Sequence, residues 1–187
     1  MAMTWADSIR ELEEWNRRID VFKPSVVPPT PGPRAPASDA TLARVEATLG
    51  LRLDAQHRSF LLHSDGWPGF AGGSLSLASS AEILGSPLLD MGSRNVRLIS
   101  GVAMGKYKRR RKNLLVIGAS DCTLDVLCMP FSDGRVLGPV VWFNNTEPEE
   151  SPSFETFFFF FLSYMPSILE HDNKRQPYGA ATSHFVR

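Results

Sequence analysis

The 187-residue chain has few of the features that stabilise secreted proteins or anchor proteins in membranes. Its two cysteines, Cys122 and Cys128, have no second pair with which to complete a zinc site. No apolar run approaches the roughly 20 residues that a membrane span requires, and residues 1–10 lack the apolar segment of a secretory signal. These absences predict a cytoplasmic protein without a membrane partner, whose thiols are reduced and buried or partly buried.

The sequence also lacks the motifs of common enzymes. It contains no Gly-x-Ser-x-Gly nucleophile elbow and no Gly-x-x-x-x-Gly-Lys phosphate loop. Of the four histidines, only His57 and His63 are close enough to share a helix. Their spacing places them on different faces of it, which predicts two surface residues rather than a metal clasp. We therefore predict a protein that is not an enzyme and that has no cofactor and no metal.

Charge is balanced over the whole chain but is clustered locally. With 20 basic and 20 acidic residues, the protein has no overall bias toward nucleic acid or anionic membranes. One basic run between two predicted strands contributes the candidate binding residues Lys106, Tyr107, Lys108, Arg109, Arg110 and Arg111. A solvated hairpin loop is its ordinary outcome. Contact with an acidic protein surface ranks second, and nucleic acid, on whose bases Tyr107 would stack, ranks third.

Acidic residues cluster in a predicted loop before the last helix, which adds the candidates Glu147, Glu149 and Glu150. Asp125 lies at the end of a predicted strand, on the same face as an apolar neighbour, so we expect it at a rim of the sheet. A metal site would need three or more converging oxygens, which the spacing of these carboxylates does not indicate.

The pattern of apolar residues divides the chain into four segments. They are an amphipathic helix at 1–22, a proline-rich linker at 23–37, a main domain at 38–170 and a polar tail at 171–187. We expect the apolar stripe of the first helix, which carries Trp5 and Trp15, to pack on the main domain. The prolines of the second segment disfavour helix and central strand, and they favour an extended linker or a strap across the surface.

Two helices open the main domain and strands follow. The first helix ends at Gly50, and Asp54 caps the second helix after a tight elbow. A short strand at 75–78 and a brief helix from Ser80 come next. Further strands are predicted at residues 95–100, 113–118, 124–130 and 136–143, with a hairpin turn at Asp133-Gly134. Pro139 makes the last of them an edge strand or an interrupted one.

The last helix is rich in phenylalanine. It is predicted to start at Ser151, with Pro152 in its first turn, and to end or kink at Pro166. Phe159 and Phe160 point away from its apolar stripe, so we expect the N-terminal helix or the polar tail to cover them. The alternative is an exposed aromatic patch that binds another chain, which makes both residues candidates for a binding site.

Four groups of residues together resemble a known family. Residues 46–67 read Glu-x-x-Leu-Gly-Leu-x-Leu, then Arg-x-Phe-Leu-Leu, then Asp-Gly-Trp. Residues 116–128 are similar to a pair of central strands around a glycine turn, residues 133–136 to a following hairpin, and residues 153–157 to the start of a closing helix. In this order and spacing, residues 36–165 resemble the SUKH superfamily of the Smi/Knr type.

The resemblance implies an α+β fold with a curled, mainly antiparallel sheet flanked by helices. Bacterial members resemble immunity proteins that bind a cognate toxin, and fungal relatives act as scaffolds in cell-wall signalling. We therefore expect an immunity protein whose partner is a cognate protein toxin. An intracellular scaffold and a nucleic-acid-binding module are the alternatives, and the oligomeric state is left open. Trp67 and Phe70 are candidate anchors for the toxin, although we expect Trp67 to seal the sheet onto the helix pair.

Overall fold

The computed structural model describes residues 4–21, 29–70, 72–73, 75–99, 104, 107, 112–144 and 148–174, except for the side chains of residues 168 and 171–174. The helices in these ranges are α1 (Trp5–Asp20), α2 (Asp39–Leu49), α3 (Ala55–Leu61), α4 (Ser80–Ile83), α5 (Pro87–Leu98) and α6 (Phe154–Lys174). The strands are β1 (Trp67–Phe70), β2 (Leu75–Leu77), β3 (Leu114–Ala119), β4 (Val126–Ser132), β5 (Arg135–Val136), β6 (Val140–Phe143) and β7 (Glu149–Ser151).

The strands form one open antiparallel sheet. Its order is β1-β2-β3-β4-β6-β7, and β5 pairs with β4 beside this path. Asp133 and Gly134 both have positive φ, at 51° and 71°, which is the geometry of a type I′ turn and fits the predicted hairpin between β4 and β5. Pro139 lies in the gap between β5 and β6, so the predicted last strand is interrupted. The expected α+β fold is confirmed.

Helices cover both faces of the sheet. Trp142 and Phe143 are neighbours on β6 and therefore point to opposite faces. Trp142 contacts Phe161 of α6, with ring centroids 5.6 Å apart. Phe143 pairs with Val126 across the sheet, and a Cβ at Gly92 of α5 would lie 3.4 Å from Val126. The sheet thus separates α6 from α5, and each face has its own layer of core.

The core on the α6 side is built from aromatic rings. Phe60, Trp67, Phe70, Phe154 and Phe158 are all fully buried. Their ring centroids lie 5.2–6.4 Å apart in tilted or edge-to-face pairs. Each such pair adds about 0.5–1.5 kcal/mol to the stabilisation that comes from burial alone. This cluster joins α3, β1 and α6 into one unit.

Helix α1 packs on the main domain, as expected. The ring of Trp5 lies 5.3 Å from Phe158 and 5.7 Å from Phe60, both edge-on. Leu12 further along the stripe is fully buried. Thr4 caps the helix by accepting from the Asp7 amide, the capping pair that the sequence indicates. The helix therefore uses its apolar stripe within its own chain.

The described part of the proline-rich segment, residues 29–37, is an extended strap on the surface. The Trp67 indole Nε1 donates to the Pro31 carbonyl at 3.2 Å, and the Ala37 amide donates to the Leu61 carbonyl at 2.9 Å. Residues 22–28 lie outside the described residues, and the predicted segment boundaries stay predictions. The strap closes the outer side of β1.

The predicted strand at residues 95–100 is wrong. Residues 95–98 form the last turn of α5, and residue 100 lies outside the described residues. The helix begins where Ser86 accepts from the Leu89 amide, with Pro87 in the first turn, and its buried residues recur at helical spacing. The β-branched Val96 favours a strand by its local propensity. The signal for a helix is the Ser86 cap, ten residues earlier in the chain.

The start and end of the last helix also differ from the prediction. Ser151 ends β7, and α6 begins at Phe154, where the Ser153 hydroxyl accepts from the Thr156 amide at 3.1 Å. Pro166 lies inside α6, which continues to Lys174. Leu169 beyond the proline packs against the core, and this contact favours continuation of the helix despite the lost hydrogen bond.

Candidate protein-binding surface

The two candidate anchors near the helix elbow lie in the core. Trp67 and Phe70 are both 0% exposed, and their rings contact each other edge-on at 5.7 Å. The indole N–H of Trp67, the only polar group of this side chain, donates to the Pro31 carbonyl of the strap. Neither side chain offers surface to a partner, so their proposed role as toxin anchors is corrected. Trp67 instead has the sealing role that we expected for it.

The basic run falls mostly outside the described residues. Lys106, Lys108, Arg109, Arg110 and Arg111 are not among them, so their candidate roles stay predictions. Tyr107 is described and is only 5% exposed. Its ring contacts Phe143 at 6.0 Å, and its hydroxyl donates to the Glu150 carboxylate. A ring buried in this way does not stack on a nucleic-acid base.

The acidic candidates lie on an edge strand rather than in a loop. Glu149 and Glu150 belong to β7, the last strand of the sheet, and both are exposed. Asn144 donates to Glu149 at 2.8 Å, and Glu147 lies outside the described residues. Charged side chains on an edge strand discourage its pairing with strands of other chains. This is the structural explanation for Glu149 and Glu150 on β7. They also place negative charge at one end of the sheet.

Phe159 and Phe160 have different surroundings. Phe159 is half-buried and lines a cleft together with Trp5 of α1, so the N-terminal helix does cover it in part. Phe160 is 46% exposed and stacks on Tyr164, which is 49% exposed, with the rings nearly parallel and 5.9 Å apart. The side chains of residues 171–187 lie outside the described part of the chain. Phe160 and Tyr164 thus form an exposed aromatic pair on α6.

This pair is continuous with the edge of the sheet. Phe160 contacts Phe161 at 5.3 Å, and Phe161 contacts Trp142 of β6 at 5.6 Å. Trp142 is paired in register with Glu149 of β7. We call the surface formed by Trp142, Glu149, Phe160 and Tyr164 the aromatic-acidic face. Glu155 lies nine residues before Tyr164 on the opposite flank of α6, beside Gln56, and is not part of this face.

Trp142 and Tyr164 were not among the sequence candidates. The Trp142 indole Nε1 donates to Asp125 at 3.1 Å, which fixes the ring at the rim of the sheet, where Asp125 was expected. The position of Trp142 on an interrupted strand gave no sign of partial exposure. Tyr164 could have been found from its spacing, since it lies one helical turn after Phe160.

The charge balance of the whole chain conceals a local asymmetry. Residues 136–173, which include β6, β7 and most of α6, contain no lysine or arginine. Their acidic residues are Glu147, Glu149, Glu150, Glu155, Glu170 and Asp172. A charge count by segment would have found this signal. The aromatic-acidic face is therefore carried by a segment that contains six acidic residues and no lysine or arginine.

The described residues hold no group of three or more metal-ligating side chains. His57 is 2% exposed, so the prediction of a surface position is wrong for it, whereas His63 is exposed. Burial lowers the pKa of His57 to about 4, so its ring is neutral at pH 7. Its Nδ1 has no hydrogen-bond partner among the described residues. His57 is buried because α6 covers it, and the ring centroids of His57 and Phe154 lie 4.8 Å apart. The spacing of the histidines in the sequence does not show this contact.

The two thiols differ in exposure. Cys128 on β4 is buried, and burial raises the pKa of its thiol. Cys122 is exposed in the turn before β4, so the expected burial is wrong for this residue. No helix in the described ranges is both long enough and apolar enough to cross a membrane.

A family comparison decides what kind of domain this is. The model of the SMI1 / KNR4 family (SUKH-1) matches residues 36–161, more than half of the chain. The chain belongs to the SMI1 / KNR4 family. A search of curated proteins found no match. The SUKH-1 match runs from the strap to the middle of α6 and includes Phe160, whereas α1 and Tyr164 lie outside it.

Proposed function

We propose that this SUKH-1 protein is a cytoplasmic immunity protein that binds a cognate toxin stoichiometrically and blocks it by non-covalent occlusion. Family membership supports a binding domain of this type. The observation that carries the proposal is the exposed, stacked pair of Phe160 and Tyr164 on the aromatic-acidic face. Aromatic side chains of this kind are over-represented among the residues that dominate protein interfaces.

The chemistry of the face indicates a basic partner surface. Phe160 and Tyr164 are held parallel before binding, so little side-chain entropy is lost when a partner covers them. Glu149 is exposed and paired with Trp142 on the same face, and residues 136–173 contain no lysine or arginine. Opposite charge on the toxin would speed encounter and fix the orientation of the complex.

The test is co-expression with a toxin encoded next to this protein. We expect the wild type to restore growth and to form a 1:1 complex in size-exclusion chromatography with light scattering. Phe160→Ala with Tyr164→Ala should weaken binding by about 100-fold, since aromatic anchors contribute about 2 kcal/mol or more each but are not additive. Failure of the wild type to neutralise any neighbouring toxin would contradict immunity.

Leu98→Ala provides the matched control. Leu98 is 76% exposed on α5, on the other side of the sheet, so its loss also removes exposed apolar surface. It should leave growth protection and binding unchanged. If the double aromatic variant bound as tightly as the Leu98 variant, the aromatic-acidic face would not be the interface.

The two alternatives have less support. A scaffold that recruits a partner through α1 would need an available apolar stripe, but that stripe packs on α6. A nucleic-acid module would use residues 106–112, of which Tyr107 is buried. Replacing residues 108–112 with serine should leave retention on a polynucleotide column unchanged; a loss of retention that also weakens steeply with salt would favour nucleic acid instead.

A further inference from the structure

A small cleft opens where α1, the end of α3 and the first turns of α6 meet. Its volume is about 290 Å³, and its lining consists of Thr4, Trp5, Ser8, His63, Glu155 and Phe159. The volume lies at the lower limit of sites for drug-sized ligands, so it suits one long side chain better than a whole small molecule. Glu155 and Phe159 lie on the α1 side of α6, whereas Tyr164 of the aromatic-acidic face lies on its other flank, so the cleft is a separate site.

The polar groups of the cleft are mostly committed as donors within the protein. The Thr4 hydroxyl donates to Asp7 at 2.6 Å, and the Ser8 hydroxyl donates to the Thr4 carbonyl at 3.0 Å. His63 Nδ1 lies 2.9 Å from the Ser59 carbonyl, which only accepts, so the neutral ring donates from Nδ1 and has Nε2 as an acceptor. These three side chains therefore present acceptor lone pairs to anything in the cleft.

Glu155 is held in place by Gln56. The Glu155 amide donates to Gln56 Oε1 at 3.1 Å, and Gln56 Nε2 donates to the Glu155 carboxylate at 3.2 Å. This reciprocal pair fixes the carboxylate without neutralising its charge. Among the described residues, no lysine or arginine forms an ion pair with Glu155. The cleft thus contains a positioned negative charge.

The aromatic walls and the helix ends add to this preference. Trp5 and Phe159 are both half-buried, and aromatic ring faces attract cations. The positive ends of α1 and α6 are offset by Asp7 and Glu155 in their first turns. Arg10 pairs with Asp7 at 2.7 Å and does not line the cleft. The negative end of α3 lies beside His63, so it favours a cation there.

We propose that this cleft binds an arginine side chain of a partner protein, with the guanidinium between the Trp5 and Phe159 rings and hydrogen-bonded to Glu155 and His63 Nε2. A guanidinium offers five donors in a plane and no acceptor, which complements a cleft of acceptors between aromatic rings. The proposal rests on the proposed function only in that it assigns the arginine to the toxin.

The test requires no toxin. The full-length protein is titrated with Nα-acetyl-arginine amide and followed by ¹H–¹⁵N NMR at the Trp5 indole and the Ser8 amide. We expect saturable shifts with a dissociation constant on the order of 1–10 mM, the strength of a single exposed charge and ring contact. Nα-acetyl-citrulline amide, which has the same shape without the charge, should bind at least about threefold more weakly. If free arginine bound much more tightly than the amide, the natural ligand would not be an arginine within a polypeptide, and the proposal would be wrong.

Glu155→Gln and Glu170→Gln form the matched pair. Both residues are exposed on α6, but only Glu155 lines the cleft. Glu155→Gln should raise the dissociation constant of the arginine amide at least about threefold, and Glu170→Gln should leave it unchanged. Equal constants for the two variants, or equal binding of citrulline amide, would overturn the proposal. Because toxin neutralisation is measured separately, either proposal can fail while the other holds.

Discussion

Gly66 occupies a position where backbone surrounds it on one side. A Cβ added there would lie 2.6 Å from the Ser79 amide nitrogen, and the residue has a φ of +82°. Gly50 has a similar φ of +65°, but no atom lies within 4 Å of its added Cβ. The two glycines therefore separate the cost of the backbone conformation from the cost of the clash.

We expect Gly66→Ala to lower the free energy of unfolding by more than about 3 kcal/mol, and Gly50→Ala by about 1 kcal/mol. The Gly50 variant has only the positive-φ cost of an L-residue, whereas the Gly66 variant must also move backbone atoms. Urea denaturation followed by tryptophan fluorescence measures both values. A Gly66 variant no less stable than the Gly50 variant would contradict the close approach of residues 77–79.

His57 makes the stability of the protein depend on pH. The folded state binds a proton at His57 only near pH 4, whereas the unfolded state does so near pH 6.5. The stabilisation is therefore complete above pH 6.5 and is lost as the pH falls toward 4, by about 3 kcal/mol in total. His57→Phe should remove this part of the pH dependence of unfolding, and the exposed His63→Gln should not. If the free energy of unfolding changed with pH in the same way for the wild type and His57→Phe, His57 would not be the source of this pH dependence.

Short sequence patterns were sufficient for several residues. Gly50, Asp54 and the Asp133-Gly134 turn were predicted correctly because capping and turn chemistry act within four residues of chain. The exposure of His57 and Cys122 was not, because it depends on what packs over each side chain. Phe154 covers His57 from almost 100 residues along the sequence.

At the scale of elements, α1 is held along its whole length, since Leu12 and Ile19 are buried and Asn16 accepts from the Gly72 amide, but its two tryptophans contribute unequally. Trp5 contacts three rings of the aromatic core, whereas Trp15 is half-buried and lies under Arg18, whose guanidinium carbon is 4.8 Å from the ring centroid. Both tryptophans follow the same amphipathic pattern, so the sequence does not distinguish them. Their contacts do.

We expect Trp5→Ala to lower the free energy of unfolding by about 3 kcal/mol and Trp15→Ala by about 1 kcal/mol. The difference arises because Trp5 leaves a cavity among Phe60, Phe154 and Phe158, whereas Trp15 loses mainly a surface contact. Thermal and urea unfolding of the two variants measure it. Equal losses would contradict the unequal packing of the two tryptophans.

The strap depends on a pair of charged hydrogen bonds. Arg34 donates to both carboxylate oxygens of Glu82, at 2.5 and 2.9 Å, and Glu82 also accepts from the Ser79 amide. The Arg34 guanidinium and this amide hold the pKa of Glu82 below its usual range. The planar guanidinium is matched to two oxygens, which an ammonium group is not.

Arg34→Lys should therefore destabilise the protein by about 1 kcal/mol, with Arg44→Lys on the exposed side of α2 as the control. Limited proteolysis within residues 22–37 should become faster in the Arg34 variant because the strap would detach more often. An unchanged cleavage rate would show that the backbone hydrogen bonds of the strap are sufficient.

For the whole molecule, the distribution of charge determines how partner binding should respond to salt. The acidic segment at 136–173 lies in a chain with no net charge, so attraction to a basic toxin would arise from this segment rather than from the protein as a whole. Such attraction acts before contact and raises the association rate constant, whereas the packing of Phe160 acts after contact.

We expect Glu149→Gln to slow association with the toxin by about threefold at low salt, and to change dissociation little. Phe160→Ala should instead speed dissociation. Surface plasmon resonance at several salt concentrations separates the two constants. If the wild-type association rate does not change with salt, the assignment of a basic partner surface is wrong.

The sequence by itself determined the fold class, the family, the caps at Thr4, Gly50 and Asp54 and the turn at Asp133-Gly134, because these depend on periodicity and on short motifs. It did not determine which aromatic residues are exposed. Trp67 and Phe160 belong to similar apolar stretches, yet the first is closed in by the strap and α6 while the second faces solvent. Only the tertiary structure decided this, because exposure is set by contacts between residues that are distant in the chain.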